Sequence, residues 1–442
     1  AFLSSRINYS RVSCRDCHAS HTYKNILQDN ALCLRCHEAP ILPAPKIDQQ
    51  THSFHKPNTS GFYCKDCHLP QTPYMQRHLR RDHGFGIPDP LLTIRFDIPN
   101  ACNRCHTNQT DQWSLEYVEK WYGEKMKRWS RERTISIALA KDGKSEALSG
   151  LLKIMREEQI PLWRAAAVNL LKRWYFRPEV QKAILAASED TAPIVRGMSA
   201  RSLEPLAGDK ENLANAALSR LLNDNSRSVR VQSAWSLRSS LDTNSTAGKE
   251  LIEYMKYNSD QPAGLLQIGV FYFDRGEADK SIEVLKKAIS WETNSAPLHY
   301  ALAICYSAIG YAQGAVKELE TACHLAPKEA EYKFKLALAY NETDQLQKAI
   351  AMFEEAVKLD PEFDQAFYNL GLAYDANGDT EKALAVLNRA EVLNPYSARI
   401  PYARATILFK LGRLEEARNA ASRALQINPD YKEAMFLIQN IK

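Results

Sequence analysis

The chain repeats a unit of 34 residues, and its clearest copy is residues 327–360, PKEAEYKFKLALAYNETDQLQKAIAMFEEAVKLD. Small residues occupy two fixed places in this copy, Ala337 and Ala356. Apolar residues around them recur every three or four positions, which is the spacing of one face of an α-helix. Asp344 falls between the two helical stretches, where a turn is needed. The unit therefore predicts two antiparallel helices that pack closely at their small residues.

The same unit extends along the C-terminal third of the chain. Prolines recur at intervals of 34 residues, at Pro327, Pro361, Pro395 and Pro429. The pattern resembles the tetratricopeptide repeat, which implies a solenoid with a concave groove for docking proteins or peptides. An earlier copy starts near Gln261, and residues 430–442 predict a capping helix. We expect tetratricopeptide repeats over residues 259–442.

Residues 129–258 carry a second and weaker repeat. Arg164, Arg196 and Arg230 follow one another at intervals of 32 and 34 residues, each near the start of a helical apolar pattern. This arrangement resembles HEAT-type repeats, in which helix pairs stack into a solenoid. We expect HEAT-like repeats here and find no catalytic constellation among these residues.

The N-terminal region contains the pattern Cys-x-x-Cys-His four times. Two thiols at this spacing attach a haem covalently, and the histidine that follows them binds the iron. The predicted attachment residues are Cys14, Cys17, Cys33, Cys36, Cys64, Cys67, Cys102 and Cys105, and the predicted iron ligands are His18, His37, His68 and His106. The sequence therefore predicts four covalently bound haem c groups.

A zinc site is the alternative for the first two motifs. Their four cysteines, at 14, 17, 33 and 36, also have the spacing of a zinc ribbon. Zinc does not require a histidine after each cysteine pair, yet all four pairs are followed by one. The third and fourth pairs also lie too far apart for a ribbon. Both observations favour haem.

Five more histidines lie among the motifs and are candidates for the second axial ligand of each iron. They are His21, His52, His55, His78 and His83. His52 and His55 are three residues apart, so one short segment could serve two irons. His21 follows His18 too closely to reach the far side of the same haem, and we expect it to bind a neighbouring iron.

These residues resemble multihaem c-type cytochromes that carry doubled Cys-x-x-Cys-His motifs. The resemblance rests on the stretches 17–21, 30–37, 52–57, 74–75, 80–83, 99–106 and 118–123. It implies a tetrahaem cytochrome c domain over residues 1–128, with His21, His52, His55 and His83 as the distal ligands and His78 left over. In such proteins helical repeats often follow the cytochrome region. Many prolines in this region favour loops and short helices around the haems.

Charge and hydropathy restrict the remaining classes. The polypeptide carries a formal charge of +5, but ionised propionates on four haems would bring the protein to about neutral, so we expect no nucleic-acid partner. No apolar run is long enough to predict a membrane span. Haem c is attached after export, and the chain begins at Ala1 without a methionine. We therefore expect an exported protein, periplasmic or extracellular.

The sequence thus predicts an all-α protein: a loop-rich tetrahaem domain followed by an α-solenoid. Irons with two histidine ligands have no open position for a substrate, so we expect electron transfer rather than enzymatic chemistry. The expected partners are redox proteins or further copies of the chain, which would form an oligomer or an electron-conducting filament. The alternatives are a subunit of a periplasmic redox enzyme, or an enzyme in which one open haem reduces a small nitrogen or oxygen species.

Overall fold

A computed structural model describes residues 2–10, 12–22, 24–38, 44–74, 78–207 and 212–441. The all-α class is confirmed, because helices make up most of the structure. The chain divides into two compact units, Ala1–Arg173 with Ala186–Ser202, and Trp174–Leu185 with Leu203–Lys442. The predicted boundaries of three domains stay a prediction. No helix among the described residues is both long enough and apolar enough to cross a membrane.

The region of the haem motifs consists of short elements joined by loops, as its prolines predict. The region also contains a small antiparallel hairpin that the sequence does not predict, in which Tyr74 pairs with His78. The elements are α1 (Arg6–Tyr9), α2 (Ala31–His37), α3 (Gln49–Ser53), α4 (Cys64–His68), β1 (Gln71–Tyr74), β2 (His78–Arg81), α5 (Pro90–Phe96) and α6 (Asp111–Tyr122).

The described residues in the middle of the chain form eight α-helices. Each of the three repeated arginines donates a hydrogen bond from Nη1 to the backbone carbonyl six residues earlier, at 2.7–2.8 Å. The repeat units therefore share local geometry, while their assignment to the HEAT type stays a prediction. The helices are α7 (Trp129–Lys141), α8 (Ala147–Glu157), α9 (Pro161–Leu171), α10 (Pro178–Ala187), α11 (Pro193–Leu203), α12 (Leu213–Leu221), α13 (Arg227–Ser236) and α14 (Thr246–Tyr257).

A buried carboxylate joins the elements around α7 and α8. Glu158 accepts hydrogen bonds from Trp129 Nε1 at 2.8 Å and from Arg133 Nη1 at 2.7 Å. A third bond comes from the Ile160 amide at 3.0 Å. Burial alone would raise the pKa of Glu158, but these three donors outweigh burial and hold the pKa below its ordinary value.

We expect Glu158→Gln to lower the free energy of unfolding by about 1–3 kcal/mol, because a neutral amide leaves buried donors poorly paired. A lowered folded-state pKa stabilises the protein above the unfolded value of about 4.3, and this contribution is lost as the pH falls. Thermal unfolding between neutral and acidic pH measures both effects. The exposed neighbour Glu157 provides the control: if Glu157→Gln destabilises equally, the buried hydrogen bonds are not the cause.

The C-terminal region consists of paired helices stacked at the 34-residue interval, as the sequence predicts. First and second helices pack closely at small residues: a Cβ atom on Gly371 would lie 2.5 Å from Leu387 Cγ. The helices are α15 (Pro262–Asp274), α16 (Ala278–Trp291), α17 (Ala296–Ala308), α18 (Ala312–Leu325), α19 (Ala330–Glu342), α20 (Leu346–Leu359), α21 (Asp364–Ala376), α22 (Thr380–Leu393), α23 (Arg399–Lys410), α24 (Leu414–Ile427) and α25 (Lys432–Asn440). The last of these lies within residues 430–442, where the sequence predicts a capping helix. Cys305 and Cys323 are buried free thiols within the solenoid.

Candidate haem-binding site

The four Cys-x-x-Cys-His motifs all lie on single turns of helix. The first and fourth are on 3-10 turns, Cys14–Asp16 and Cys102–Arg104, and the second and third are within α2 and α4. In the first motif the His18 amide donates to the Cys14 carbonyl at 2.8 Å, and His106 does the same to Cys102 at 3.0 Å. One turn thus brings both thiols and the histidine of each motif close together, as attachment of one haem requires.

Three of the motif histidines face histidines from elsewhere in the region. The imidazole centroids are 6.2 Å apart for His18 and His83. They are 6.0 Å apart for His68 and His52, whose rings are nearly parallel at 17°. The third pair, His106 and His55, has centroids 6.2 Å apart. In every pair the second histidine is one that the sequence analysis proposed as a distal ligand.

These separations match two imidazoles on opposite sides of one metal ion. A metal–imidazole bond is about 2 Å long and the bound nitrogen lies about 1 Å from the ring centre, so the two centroids lie about 6 Å apart. Rings in direct stacking contact would approach more closely. The residues at the first, third and fourth motifs therefore fit a haem iron held by two histidines.

Hydrogen bonds also orient four of the imidazoles that are candidate iron ligands. In each, Nδ1 lies within 2.5–3.0 Å of a backbone carbonyl oxygen, so Nδ1 carries the proton and Nε2 keeps its lone pair for a metal. The four contacts are His37 to Pro45, His55 to Ser53, His68 to Gly86 and His83 to Arg81. Burial is the main cause that lowers the pKa of His52 and of His68. A lowered pKa favours the neutral ring, which is the form that binds a metal.

Two buried asparagines hold the motifs in place, and the sequence analysis gave them no role. Asn30 Oδ1 accepts from the Cys64 amide at 2.8 Å, and its Nδ2 donates to the Phe62 carbonyl at 3.0 Å. Asn100 Oδ1 accepts from the Cys102 amide at 2.9 Å. The signal in the sequence is an asparagine two or three residues before the first cysteine of the second and fourth motifs.

Other polar contacts link each motif to the next one along the chain. Arg35 Nη1, in the second motif, donates to the Asp16 carbonyl of the first at 3.3 Å. Asn30, just before the second motif, joins it to the third by accepting a hydrogen bond from the Cys64 amide. Arg104 of the fourth motif donates to the Gln71 carbonyl, just after the third. The motifs therefore succeed one another in space in chain order.

The structure places the remaining candidates differently. His21 lies on an exposed turn, and His78 lies exposed at the start of β2. Among the described residues, neither ring faces a motif histidine at the 6 Å separation, and no such ring contact is seen for His37. Within the same residues, no group of three or more His, Cys, Asp or Glu side chains is gathered to hold a metal ion. The four thiols of the zinc alternative thus do not surround one point.

Family models match several parts of the chain. The cytochrome c3 model matches residues 8–77, which contain the first three motifs. Tetratricopeptide repeat models match residues 263–295 and 300–362. A model of subunit 3 of the anaphase-promoting complex, or cyclosome, matches residues 342–424. The predicted tetratricopeptide repeats are therefore confirmed, and the first part of the chain is similar to cytochrome c3.

Several solved structures resemble part of the chain. MamA is 25% identical, with 38% of this chain and 97% of MamA covered and a TM-score of 0.36. The segment of MamA from residue 41 onward, from Desulfovibrio magneticus RS-1, is 20% identical over 39% of this chain and 97% of its own, with a TM-score of 0.37. YrrB, a TPR protein with an unusual peptide-binding site, is 16% identical over 42% and 97%, with a TM-score of 0.38. None of the curated proteins compared with the chain matches it.

Proposed function

We propose that this protein carries electrons through four haem c groups held by its four motifs. The observation that supports this most directly is the set of three imidazole pairs with centroids 6.0–6.2 Å apart. Haem bound in this way supplies reversible one-electron transfer at iron. The motif thiols would hold each haem covalently, and the paired imidazoles would hold its iron and keep substrates away from it.

For the second motif we propose His21 as the partner of His37. His37 already has its Nδ1 directed to the Pro45 carbonyl at 2.8 Å, which leaves Nε2 available. His21 is the one histidine left over from the set that the family resemblance implies. A second candidate function concerns the same haem. If the iron bound by His37 has no second ligand, that haem could reduce a small nitrogen or oxygen species.

The spatial order of the motifs supports a linear path. Consecutive motifs are joined by direct hydrogen bonds. Exposed thiols occur only at the two ends of the series, Cys14 in the first motif and Cys105 in the fourth. We therefore propose that electrons enter and leave near these two ends, with the inner haems connecting them.

The direct test is the number and spin state of the haems in protein produced by a host that matures c-type cytochromes. We expect about four haems per chain in the pyridine haemochrome assay, all low-spin in electron paramagnetic resonance spectra. If the unaltered protein gives a high-spin ferric signal and His21→Ala does not increase it, His21 is not a ligand. That result would favour the enzyme with one open haem. Protein with zinc and no haem would overturn the proposal.

We also propose that the protein is exported and that its repeats dock it to redox partners or to further copies. Tetratricopeptide repeats form concave surfaces that bind proteins, and head-to-tail contacts that do not close produce filaments. Electron microscopy of haem-loaded protein at high concentration distinguishes the two cases: a filament predicts long particles, and a periplasmic carrier predicts discrete ones.

A further inference from the structure

His52 and His55 lie in one short segment but face different motif histidines. Their rings lie opposite His68 and His106, respectively. Phe54, which follows α3, has a φ of 55°, in the left-handed region that bulky residues rarely adopt. This turn of the backbone separates the directions of the two imidazoles.

The last turn of α6 contacts this segment at several points. The rings of Phe54 and Trp121 stack with centroids 4.7 Å apart and planes within 4°. Trp121 also lies edge-on to His55 at 6.3 Å. Tyr122 donates a hydrogen bond from its hydroxyl to the His52 carbonyl at 2.5 Å, and its ring is 5.8 Å from that of His52. Aromatic pairs with these offset and edge-on geometries are attractive beyond the area that they bury.

The helix that provides these contacts is itself fixed to the fourth motif. Ser114 Oγ, in the first turn of α6, donates to Asn103 Oδ1 at 2.7 Å, and Asn103 lies between the two cysteines of that motif. Thr110 caps the helix by accepting from the Trp113 amide at 3.1 Å. The cap stabilises the first turn of α6, and the helix connects the fourth motif to the residues that contact the His52–His55 segment.

Burial in a hydrophobic core does not explain the unusual backbone of Phe54. Its side chain is 48% exposed, so the ring adds little apolar burial where it lies. Strained backbone of this kind persists where surrounding contacts hold it in place, and it is common at functional sites. The contacts around this turn are the rings of Trp121 and Tyr122 on Phe54, together with the hydrogen bonds of His55 to Ser53 across it.

We propose that Trp121 and Tyr122 are positioning residues that hold the left-handed turn at Phe54 and so direct His52 and His55 to two different irons. The inference rests on the proposed haem function. We call the contacts of Trp121 and Tyr122 with this segment the clamp. Without the clamp, we expect the segment to relax and one or both histidines to move away from His68 or His106. The pair formed by His18 and His83 involves neither α6 nor this segment and would remain.

The test uses the full-length, haem-loaded protein. We expect Trp121→Leu to convert about one or two of the four irons to the high-spin ferric state, with the same resonances as His52→Ala and His55→Ala. Phe54→Gly should act in the same direction, because glycine adopts the turn but provides no ring. Trp121→Phe, which keeps a stacking ring, should retain the low-spin spectrum. Tyr117→Leu is the matched control, since Tyr117 lies on the same helix and contacts Trp121 but neither histidine.

The outcomes separate this inference from the proposed function. If His52→Ala and His55→Ala both leave four low-spin haems, His52 and His55 are not the iron ligands opposite His68 and His106. The clamp is then overturned as well. If those two variants create high-spin iron but Trp121→Leu does not, the clamp alone is overturned. Equal effects of Tyr117→Leu and Trp121→Leu would also overturn it, because the loss would then reflect general loosening of α6.

Discussion

Replacing His83 with alanine is expected to convert about one of the four proposed haem irons from low-spin to high-spin. His83 faces His18 with ring centroids 6.2 Å apart, and its Nδ1 contacts the Arg81 carbonyl at 3.0 Å. Alanine provides no ligand, so the iron of the first motif would lose its second imidazole. The measurement is the integrated high-spin signal in electron paramagnetic resonance, together with a redox titration of the four haems.

Two further variants make this prediction specific. His78→Ala removes an exposed imidazole of the same hairpin region, and we expect its spectrum to match that of the unaltered protein. His83→Met offers a thioether ligand instead, which would keep the iron low-spin while raising its reduction potential. If His78→Ala generates the high-spin signal and His83→Ala does not, the second ligand of this iron is His78 and not His83.

Replacing Phe353 with alanine is expected to cost the solenoid about 3–5 kcal/mol of unfolding free energy. Phe353 lies in α20, is only 2% exposed, and packs against Phe334 with ring centroids 5.9 Å apart. It occupies the large position of the 34-residue unit between the small residues Ala349 and Ala356, which are fully buried. Alanine would leave a cavity that the surrounding helices can fill only in part.

Denaturant unfolding followed by far-ultraviolet circular dichroism measures this loss. Phe436→Ala is the matched control, because Phe436 in the capping helix α25 is 69% exposed. We expect that substitution to change the unfolding free energy by less than about 0.5 kcal/mol. Equal losses from the two substitutions would mean that burial of the 34-residue pattern does not determine the stability of the repeats.

The sequence predicted the helical repeats because a repeat is a local property. The 34-residue interval, the small residues at Ala337 and Ala356 and the turn at Asp344 all lie within one unit, and each unit packs mainly on its neighbours. The all-α class and the tetratricopeptide repeats are confirmed for that reason. The hairpin formed by β1 and β2 was not predicted, because residues 71–81 contain Pro73 and lack a clear alternating apolar pattern.

The candidate site also has a part that the sequence predicted and a part that it did not. Each Cys-x-x-Cys-His motif brings its own thiols and histidine together within one helical turn, so the sequence by itself was enough to predict where haem would attach and which histidines would be its proximal ligands. Asn30 illustrates the limit of such reasoning. It precedes the second motif but holds the third, at the Cys64 amide, and nothing local indicates a partner so far along the chain.

Only the tertiary structure decided which histidine faces which motif. His83 lies opposite His18 in the first motif, and His55 lies opposite His106 in the fourth, although neither is near its partner in sequence. Such pairs depend on how the loops close and on single backbone angles such as the φ of 55° at Phe54. Sequence patterns report local periodicity and spacing, whereas contacts between distant residues follow from the packing of the whole region.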